Sequence, residues 1–239
     1  MRVDICIPAY NEAAIIAKTC EAVKEALLSF PHRSRIIVVD NGSTDETAAR
    51  ALSTGVEVIS IPTRGKGAAV VEAARRSDAD LFGFIDADLS ADPRDIPALL
   101  SGIQNDECDV AVGSRLLDLR TVERGWFRTL SSRLFNLLRR LVLGISIADT
   151  QCGLKFMNEK GRDLLARCEE AGWFFDLEFL ARCELAGVRV REVPIHWSEQ
   201  LYPGRESKLN MARDGLGAIM AMMRIRAIIG STNDHAGVS

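Results

Sequence analysis

Residues Leu81-Phe82-Gly83-Phe84-Ile85-Asp86-Ala87-Asp88 form an apolar run that ends in two carboxylates one residue apart. A short apolar run bounded by polar residues is typical of a strand buried on both faces of a parallel sheet. Two carboxylates directly after such a strand are costly to bury unless something compensates their charge. Mg²⁺ and Mn²⁺ prefer oxygen ligands and commonly bind one or two carboxylates together with substrate phosphates. The stretch therefore predicts a metal site at Asp86 and Asp88; the alternative is that Asp88 caps a turn and Asp86 pairs with an arginine.

Strand-like and helix-like segments alternate around this stretch. Such alternation is typical of βαβ units and predicts an α/β fold with a mostly parallel central sheet and flanking helices. The chain is expected to form one domain over residues 1–230, ending in an amphipathic helix, with a disordered tail over residues 231–239. The predicted strands lie at 3–7, 35–40, 56–61, 80–85, 108–113, 153–157 and 188–194. The predicted helices lie near 12–29, 44–53, 66–77, 93–104, 123–143, 159–169, 174–186 and 209–228.

Composition excludes several classes of protein. The net charge of -3 provides no overall basic field for nucleic acid. The six cysteines include no C-x-x-C pair, so a zinc site is not expected and reduced, buried thiols are. No apolar stretch reaches the roughly 18 residues of a membrane span, and no signal peptide is evident at the N-terminus. These observations predict a cytoplasmic protein, and nothing in the sequence indicates its oligomeric state.

Polar residues also follow other predicted strands. The first strand leads into Pro8-Ala9-Tyr10-Asn11-Glu12, and the second ends in Asp40-Asn41-Gly42. Ligands of open α/β sheets bind beyond the carboxyl ends of the strands. These residues and Asp86 are therefore expected to line one edge of the sheet.

A glycine-rich turn, Arg64-Gly65-Lys66-Gly67, comes directly before a predicted helix. Glycines allow a backbone to approach a ligand closely, and the N-terminus of a helix attracts anions. The turn is neither a Walker motif nor a complete dinucleotide fingerprint. Taken alone, it fits an ordinary turn as well as a phosphate contact.

The region after the fifth strand is locally basic, with seven arginines and two acidic residues between Arg115 and Arg140. Much of it falls on the predicted amphipathic helix 123–143. A basic amphipathic helix is typical of a surface that meets anionic lipid headgroups. The alternative is a helix face solvated by water.

Taken in order, the motifs of the chain resemble those of the family 2 glycosyltransferases, which have the GT-A fold, a Rossmann-like α/β architecture. The resemblance covers roughly residues 3–210. The second half is similar to the polyprenyl-phosphate sugar synthases, the branch of dolichyl-phosphate β-glucosyltransferase and dolichyl-phosphate mannose synthase. The motifs of the first half are residues 7–12, 39–45, 64–67, 86–88 and 113–115, and those of the second are 149–156, 175–178 and 192–194.

The resemblance implies a role for the matching positions. The implied donor-binding residues, which would hold a nucleotide sugar such as UDP-glucose or GDP-mannose, are Pro8, Ala9, Tyr10, Glu12, Asp40, Asn41, Lys66, Asp86 and Ala87. The implied ligands of Mg²⁺ or Mn²⁺ are Asp86, Asp88 and Ser90. The implied contacts to the acceptor phosphate are Arg115, Arg128, Ser132, Lys155, Ser207 and Lys208. Asp86, Asp88, Arg115 and Arg128 would be catalytic. Asn41 and Thr63 depart from the family pattern, which often has Asp and Asn there.

The implied reaction is an inverting transfer of a hexose to a polyprenyl phosphate at an anionic membrane surface, by a peripheral protein on the cytoplasmic face. A phosphate acceptor is already anionic near neutral pH, so it needs no general base. A soluble sugar or polysaccharide acceptor would need one, with Asp149 and Glu178 as the first candidates. A non-catalytic protein that binds nucleotide sugars is a further alternative.

Overall fold

The computed structural model describes residues 1–28, 30, 33–117, 139–198 and 211–236. These residues form a seven-stranded sheet in the order β3-β2-β1-β4-β6-β5-β7. Its strands are β1 (Arg2–Ala9), β2 (Arg33–Asp40), β3 (Glu57–Ser60), β4 (Leu81–Ile85), β5 (Val110–Ser114), β6 (Leu154–Asn158) and β7 (Val190–Pro194). Every pairing is parallel except those of β6, which runs antiparallel between β4 and β5. The predicted mostly parallel α/β sheet is confirmed.

The helices connect these strands and flank the sheet. They are α1 (Ile16–Leu27), α2 (Thr47–Ser53), α3 (Lys66–Arg76), α4 (Ile96–Gln104), α5 (Glu159–Ala166), α6 (Phe175–Leu185) and α7 (Met211–Ala236). A 3₁₀ turn, Pro93–Asp95, leads into α4, with Asp92 accepting from the Arg94 backbone N–H as its cap. Of the predicted helix 123–143, only residues 139–143 are described, and they are helical.

The last helix is longer than the sequence pattern indicates. It continues to Ala236, whereas the tail is expected from Ser231. Extending a formed helix by one residue adds one hydrogen bond per residue fixed and avoids the cost of nucleation, so a helix can run past its apolar stripe. The prediction of a tail is therefore wrong for residues 231–236. Among the described residues, no helix has both the length and the hydropathy that a membrane span requires.

The core has two layers, one on each face of the sheet. Side chains alternate along β1, so that Ile5 and Ile7 pack in one layer and Cys6 in the other. The layer of Ile5 includes Ile16 of α1 and Leu99 of α4. The opposite layer joins β4 and β5 to helices α3, α6 and α7. All six cysteines lie within the described residues, are buried and form no disulfide, as predicted.

Candidate active site

The carboxyl ends of β1, β2 and β4 meet at one edge of the sheet, as the strand alternation predicts. Ala9 lies opposite Asp40 in the β1–β2 register, and Cys6 lies opposite Phe84 in the β1–β4 register. The Asn41 backbone N–H donates to the Ala9 carbonyl at 2.9 Å. The residues that follow the three strands therefore share one rim.

Asp86 is held at this rim through both its side chain and its backbone. Its Oδ1 lies 2.6 Å from Lys66 Nζ, and its backbone N–H donates to the Gly153 carbonyl at 3.0 Å. Burial raises the pKa of Asp86 and the Asp88 carboxylate adds to this rise, while the Lys66 ammonium acts in the opposite direction. Two neighbouring carboxylates, of which one is paired with an ammonium, leave negative charge that favours the binding of a further cation.

Asp88 and Ala87 are fixed by their own hydrogen bonds. Asp88 Oδ1 accepts from the Ser90 N–H at 2.9 Å, and the Ala87 carbonyl accepts from Thr19 Oγ1 at 2.6 Å. The described residues contain no group of three or more His, Cys, Asp or Glu side chains that could enclose a metal ion. Two carboxylates completed by substrate phosphates nevertheless fit Mg²⁺ or Mn²⁺, which retain open positions for phosphate and water. A ligand role for the Ser90 side chain stays a prediction.

Glycine is required at position 153, directly before β6, because the backbone there lies close to Asp86. A Cβ atom built at Gly153 lies 2.0 Å from Asp86 Oδ2. The residue that precedes β6 thus forms a wall against which the carboxylate rests. No sequence pattern predicts this contact, because it joins residues far apart in the chain.

Gly153→Ala is expected to displace the Asp86 carboxylate and to lower stability by about 1–3 kcal/mol, the usual effect of overpacking. Mn²⁺-dependent nucleotide binding should fall with it, as isothermal titration calorimetry can measure. Gly102→Ala is the matched control, since its added methyl lies 3.6 Å from Cys108 Sγ, an ordinary contact. Unchanged metal-dependent binding in Gly153→Ala would contradict the assignment of Asp86.

The predicted nucleotide face lies between the loops that follow β1 and β2. The Glu12 N–H donates to Thr47 Oγ1 at 2.8 Å, and Arg64 lies over the Tyr10 ring at 4.8 Å from its centroid. Asp40 Oδ1 accepts from the Ser43 N–H at 3.2 Å. These contacts give the loops a defined shape. The predicted nucleotide contacts stay predictions; they are those of Pro8, Ala9, Tyr10, Glu12 and Asp40.

Asn41 has an acceptor without a partner. Its Nδ2 donates to the Gly65 carbonyl at 3.1 Å, whereas its Oδ1 is the only buried side-chain nitrogen or oxygen in the described part of the chain with no hydrogen bond. An unpaired buried acceptor is costly, so a donor group of a ligand would be favoured there. This observation supports the predicted donor-binding role of Asn41.

The glycine-rich turn packs against the loop before α6. A Cβ atom at Gly65, whose φ is +139°, would lie 2.0 Å from the Ala171 carbonyl oxygen, and the Gly67 N–H donates to the Gly172 carbonyl at 3.2 Å. Both glycines are thus explained by close backbone packing. That packing places Lys66, the first residue of α3, against Asp86.

Glu178 of α6 holds the loop that precedes α6 through hydrogen bonds to its backbone. Its carboxylate accepts from the backbone N–H groups of Glu169 and Glu170 and pairs with Arg182 at 2.7 Å. It is fully buried. The suggestion that Glu178 serves as a general base is therefore wrong, because its lone pairs are committed to the loop.

Lys155 lies on the inner side of β6, not on an acceptor-facing surface. It is fully buried, and its Nζ donates to Asp176 Oδ1 at 2.5 Å and to the Cys152 carbonyl at 2.7 Å. A buried, ion-paired ammonium does not present a donor to an acceptor phosphate. The predicted acceptor contact of Lys155 is therefore corrected to a buried ion pair with Asp176.

Arg115 and Asp149 form a second tight pair near the rim. Arg115 donates from its backbone N–H and its Nε to Asp149 Oδ2, both at 2.8 Å, and from Nη2 to Oδ1 at 2.6 Å. Burial raises the pKa of Asp149, but the Arg115 contacts outweigh it and hold that pKa below its usual range. A carboxylate so stabilised is a poor proton acceptor, which removes Asp149 as a general base. The acceptor role of Arg115 stays a prediction, as do those of Arg128, Ser132, Ser207 and Lys208, which lie outside the described residues.

Thr19, Gly153 and Asp176 lie close to Asp86 and Ala87, and the sequence predicts no individual role for them. Thr19 lies inside a helix pattern, and Gly153 lies in a strand-like run. Asp176 carries the clearest signal, since it and Glu178 are acidic residues in the otherwise apolar stretch Phe174–Phe179. Charge inside an apolar run indicates a buried partner.

Several known proteins are similar to this chain in sequence, and others are similar in fold. The chain is 34% identical over 233 residues to glycosyltransferase AglD of Haloferax volcanii, with 94% of this chain and 37% of AglD covered. It is 27% identical over 260 residues to dolichyl-phosphate beta-glucosyltransferase of Saccharomyces cerevisiae, with 97% of this chain and 76% of that protein covered. The chain thus spans little more than a third of the length of AglD.

A crystal structure of glucosyl-3-phosphoglycerate synthase from Mycobacterium tuberculosis, in complex with Mn²⁺, UDP and glucosyl-3-phosphoglycerate, has a similar fold. The TM-score is 0.72 at 22% sequence identity, and the match covers 94% of this chain and 79% of that one. This likeness shows the GT-A fold that the sequence predicts. Residues 4–163 match the sequence profile of the family described as Glycosyl transferase family 2. The chain, with its carboxylate rim at the ends of β1, β2 and β4, therefore belongs to glycosyl transferase family 2.

Proposed function

We propose that the chain transfers a hexose from a nucleoside diphosphate sugar to a polyprenyl phosphate, with inversion at the anomeric carbon. The observation that carries the proposal is the pair Asp86 and Asp88 at the end of β4, with Lys66 Nζ 2.6 Å from Asp86 Oδ1. Carboxylates and an ammonium at one rim are suited to a metal-bound diphosphate. The relatives include a dolichyl-phosphate beta-glucosyltransferase and a dodecaprenyl-phosphate galacturonate synthase.

The residues of the rim would have different roles in the reaction. Asp86 and Asp88 would hold a divalent cation, which would supply Lewis-acid stabilisation of the leaving diphosphate. Asn41, with its unpaired buried Oδ1, offers an acceptor to the nucleotide, and Arg64 and Tyr10 border the same face. Arg115 is held rigidly by Asp149, so it is suited to orient an anionic acceptor at low entropic cost.

The acceptor proposal is supported by the contacts of the two candidate bases, Asp149 and Glu178. In the described part of the chain, both candidate bases are committed, Asp149 to Arg115 and Glu178 to Arg182 and the loop backbone. An acceptor that is already anionic needs no proton removed before it attacks. We further propose that one domain over residues 1–230 acts as a peripheral protein at the cytoplasmic face of an anionic membrane.

The donor can be identified by thermal shift in the presence of Mn²⁺. UDP-glucose is expected to give the largest rise and GDP-mannose the next. A ligand at about 100 times its Kd stabilises the folded state by about 2.7 kcal/mol, which raises the melting temperature of a chain this size by about 5–10 °C. No rise with any nucleoside diphosphate sugar would contradict the donor proposal.

The acceptor can then be tested with that donor. Radiolabelled sugar should pass to polyprenyl phosphate in anionic liposomes, and flotation should carry the protein with the lipid. Soluble sugars and 3-phosphoglycerate serve as comparison acceptors. Transfer to a soluble acceptor with none to the lipid would replace the lipid proposal, and donor binding without transfer to any acceptor would indicate a binding protein.

A further inference from the structure

The Lys66 ammonium is enclosed on several sides. Its side chain is only 8% exposed, and three aromatic rings surround Nζ. The distances from Nζ to the ring centroids are 5.7 Å for Phe84, 5.6 Å for Trp173 and 5.8 Å for Phe175. Ring faces attract a cation. The cage therefore stabilises a positive charge directly beside Asp86.

Two buried lysines at this end of the sheet are each paired with an aspartate. Lys155 pairs with Asp176 at 2.5 Å, and Lys66 pairs with Asp86 at 2.6 Å. Lys66 therefore occupies one oxygen of the carboxylate that a metal would bind.

A divalent cation at Asp86 would lie next to this ammonium. Two like-signed ions at one carboxylate repel each other strongly at low effective dielectric. The backbone of Lys66 cannot withdraw far, because Gly65 and Gly67 are packed against the loop 169–172. An anion that pairs with the ammonium in place of Asp86 would relieve the repulsion, and a diphosphate at the rim is such an anion.

We propose that Lys66 is the resident counter-cation of Asp86 and makes metal binding conditional on the diphosphate of the nucleotide. With no nucleotide, Lys66 competes with the metal for Asp86. With a diphosphate present, the ammonium turns to the phosphate oxygens and leaves Asp86 to the metal. The inference rests on the proposed function, since it assumes that a nucleoside diphosphate and a divalent cation share the rim.

The test measures Mn²⁺ binding to the full chain by electron paramagnetic resonance, with and without UDP. The wild type should bind Mn²⁺ weakly alone and more tightly with UDP. Lys66→Met should bind Mn²⁺ alone at least about tenfold more tightly than the wild type, since it removes a charge that repels the metal. By reciprocity, the factor by which UDP and Mn²⁺ strengthen each other should shrink in this variant.

Two further variants keep the test decisive. Lys66→Gln removes the charge while retaining a hydrogen-bond donor, so it should match Lys66→Met even if the methionine variant folds poorly. Lys160→Met is the matched control, because Lys160 is 73% exposed on α5 and away from the rim. Mn²⁺ affinity equal to or weaker than the wild type in both folded Lys66 variants would overturn the inference.

The failure of the inference can be told apart from that of the proposed function. If the wild type binds UDP in a Mn²⁺-dependent manner and the Lys66 variants do not tighten Mn²⁺ binding, only the role of Lys66 is wrong. If the wild type binds no UDP with Mn²⁺ at all, the proposed function itself is contradicted.

Discussion

Asp88→Asn is expected to lower the turnover of sugar transfer by about 10²–10⁴-fold, because Lewis-acid stabilisation of a leaving group is worth several kcal/mol. The fold should be retained. Asp88 is only half-buried, and its contact with the Ser90 N–H can be replaced by the amide oxygen of asparagine. The measurement is initial-rate transfer at saturating donor and Mn²⁺, with a thermal melt to confirm the fold.

The control for this prediction lies at the opposite end of the same strand. Asp80 precedes β4 and accepts from the Arg2 backbone N–H at 2.7 Å, a contact that Asp80→Asn preserves. Its turnover should match the wild type. Full activity in Asp88→Asn would remove the metal role from Asp88, and an equal loss in both variants would point to a general effect on the fold.

Lys155→Met is expected to destabilise the folded state by about 3–5 kcal/mol, because breaking a buried ion pair leaves the partner charge uncompensated. That partner is Asp176, which is 2% exposed. For a chain of this size the melting temperature should fall by about 6–20 °C. Urea denaturation followed by circular dichroism gives the free energy of unfolding directly.

A double variant distinguishes the ion pair from the packing of the methylene chain. Lys155→Met combined with Asp176→Leu removes both charges and should recover most of the lost stability, as apolar replacement of buried pairs often does. Lys160→Met should change stability little, since Lys160 is exposed. If Lys155→Met instead left stability unchanged and raised only the KM for the acceptor phosphate, the original acceptor assignment would be restored.

Much of the fold could be predicted from local patterns. The run 81–88 predicts a buried strand with carboxylates at its end. The alternation of strand-like and helix-like segments around it predicts parallel strands whose carboxyl ends lie at one edge of the sheet. These features depend on residues that are close in sequence. The antiparallel placement of β6 between β4 and β5 could not be predicted in this way, because strand order is set by long-range packing.

The sequence predicts the site residues that directly follow a strand. It does not predict the contacts that these residues make with side chains from other parts of the chain. Asp86 was identified from its position, but its ion pair with Lys66 joins two separate βα units. Lys155 was assigned to the acceptor because its motif resembles a family pattern. Alternation along β6 places it on the same face as Met157, which packs in the layer of α3 and α6, and Asp176 of α6 meets it there. A motif match shows which residue type occupies a position. The burial of a lysine and its ion-pair partner determine whether it can contact a ligand.

The antiparallel strand β6 has a consequence for how the chain becomes competent during synthesis. A nascent chain that ends before residue 153 contains β4 and β5 but lacks the strand that pairs with both. The fully buried, apolar β4 would then present an open hydrogen-bonding edge, a template for aggregation. The same chain would lack Gly153, the wall behind Asp86. The sheet closes and the carboxylate rim is completed only when the same segment has been made, so a chain that stops before residue 153 is expected to be insoluble as well as inactive.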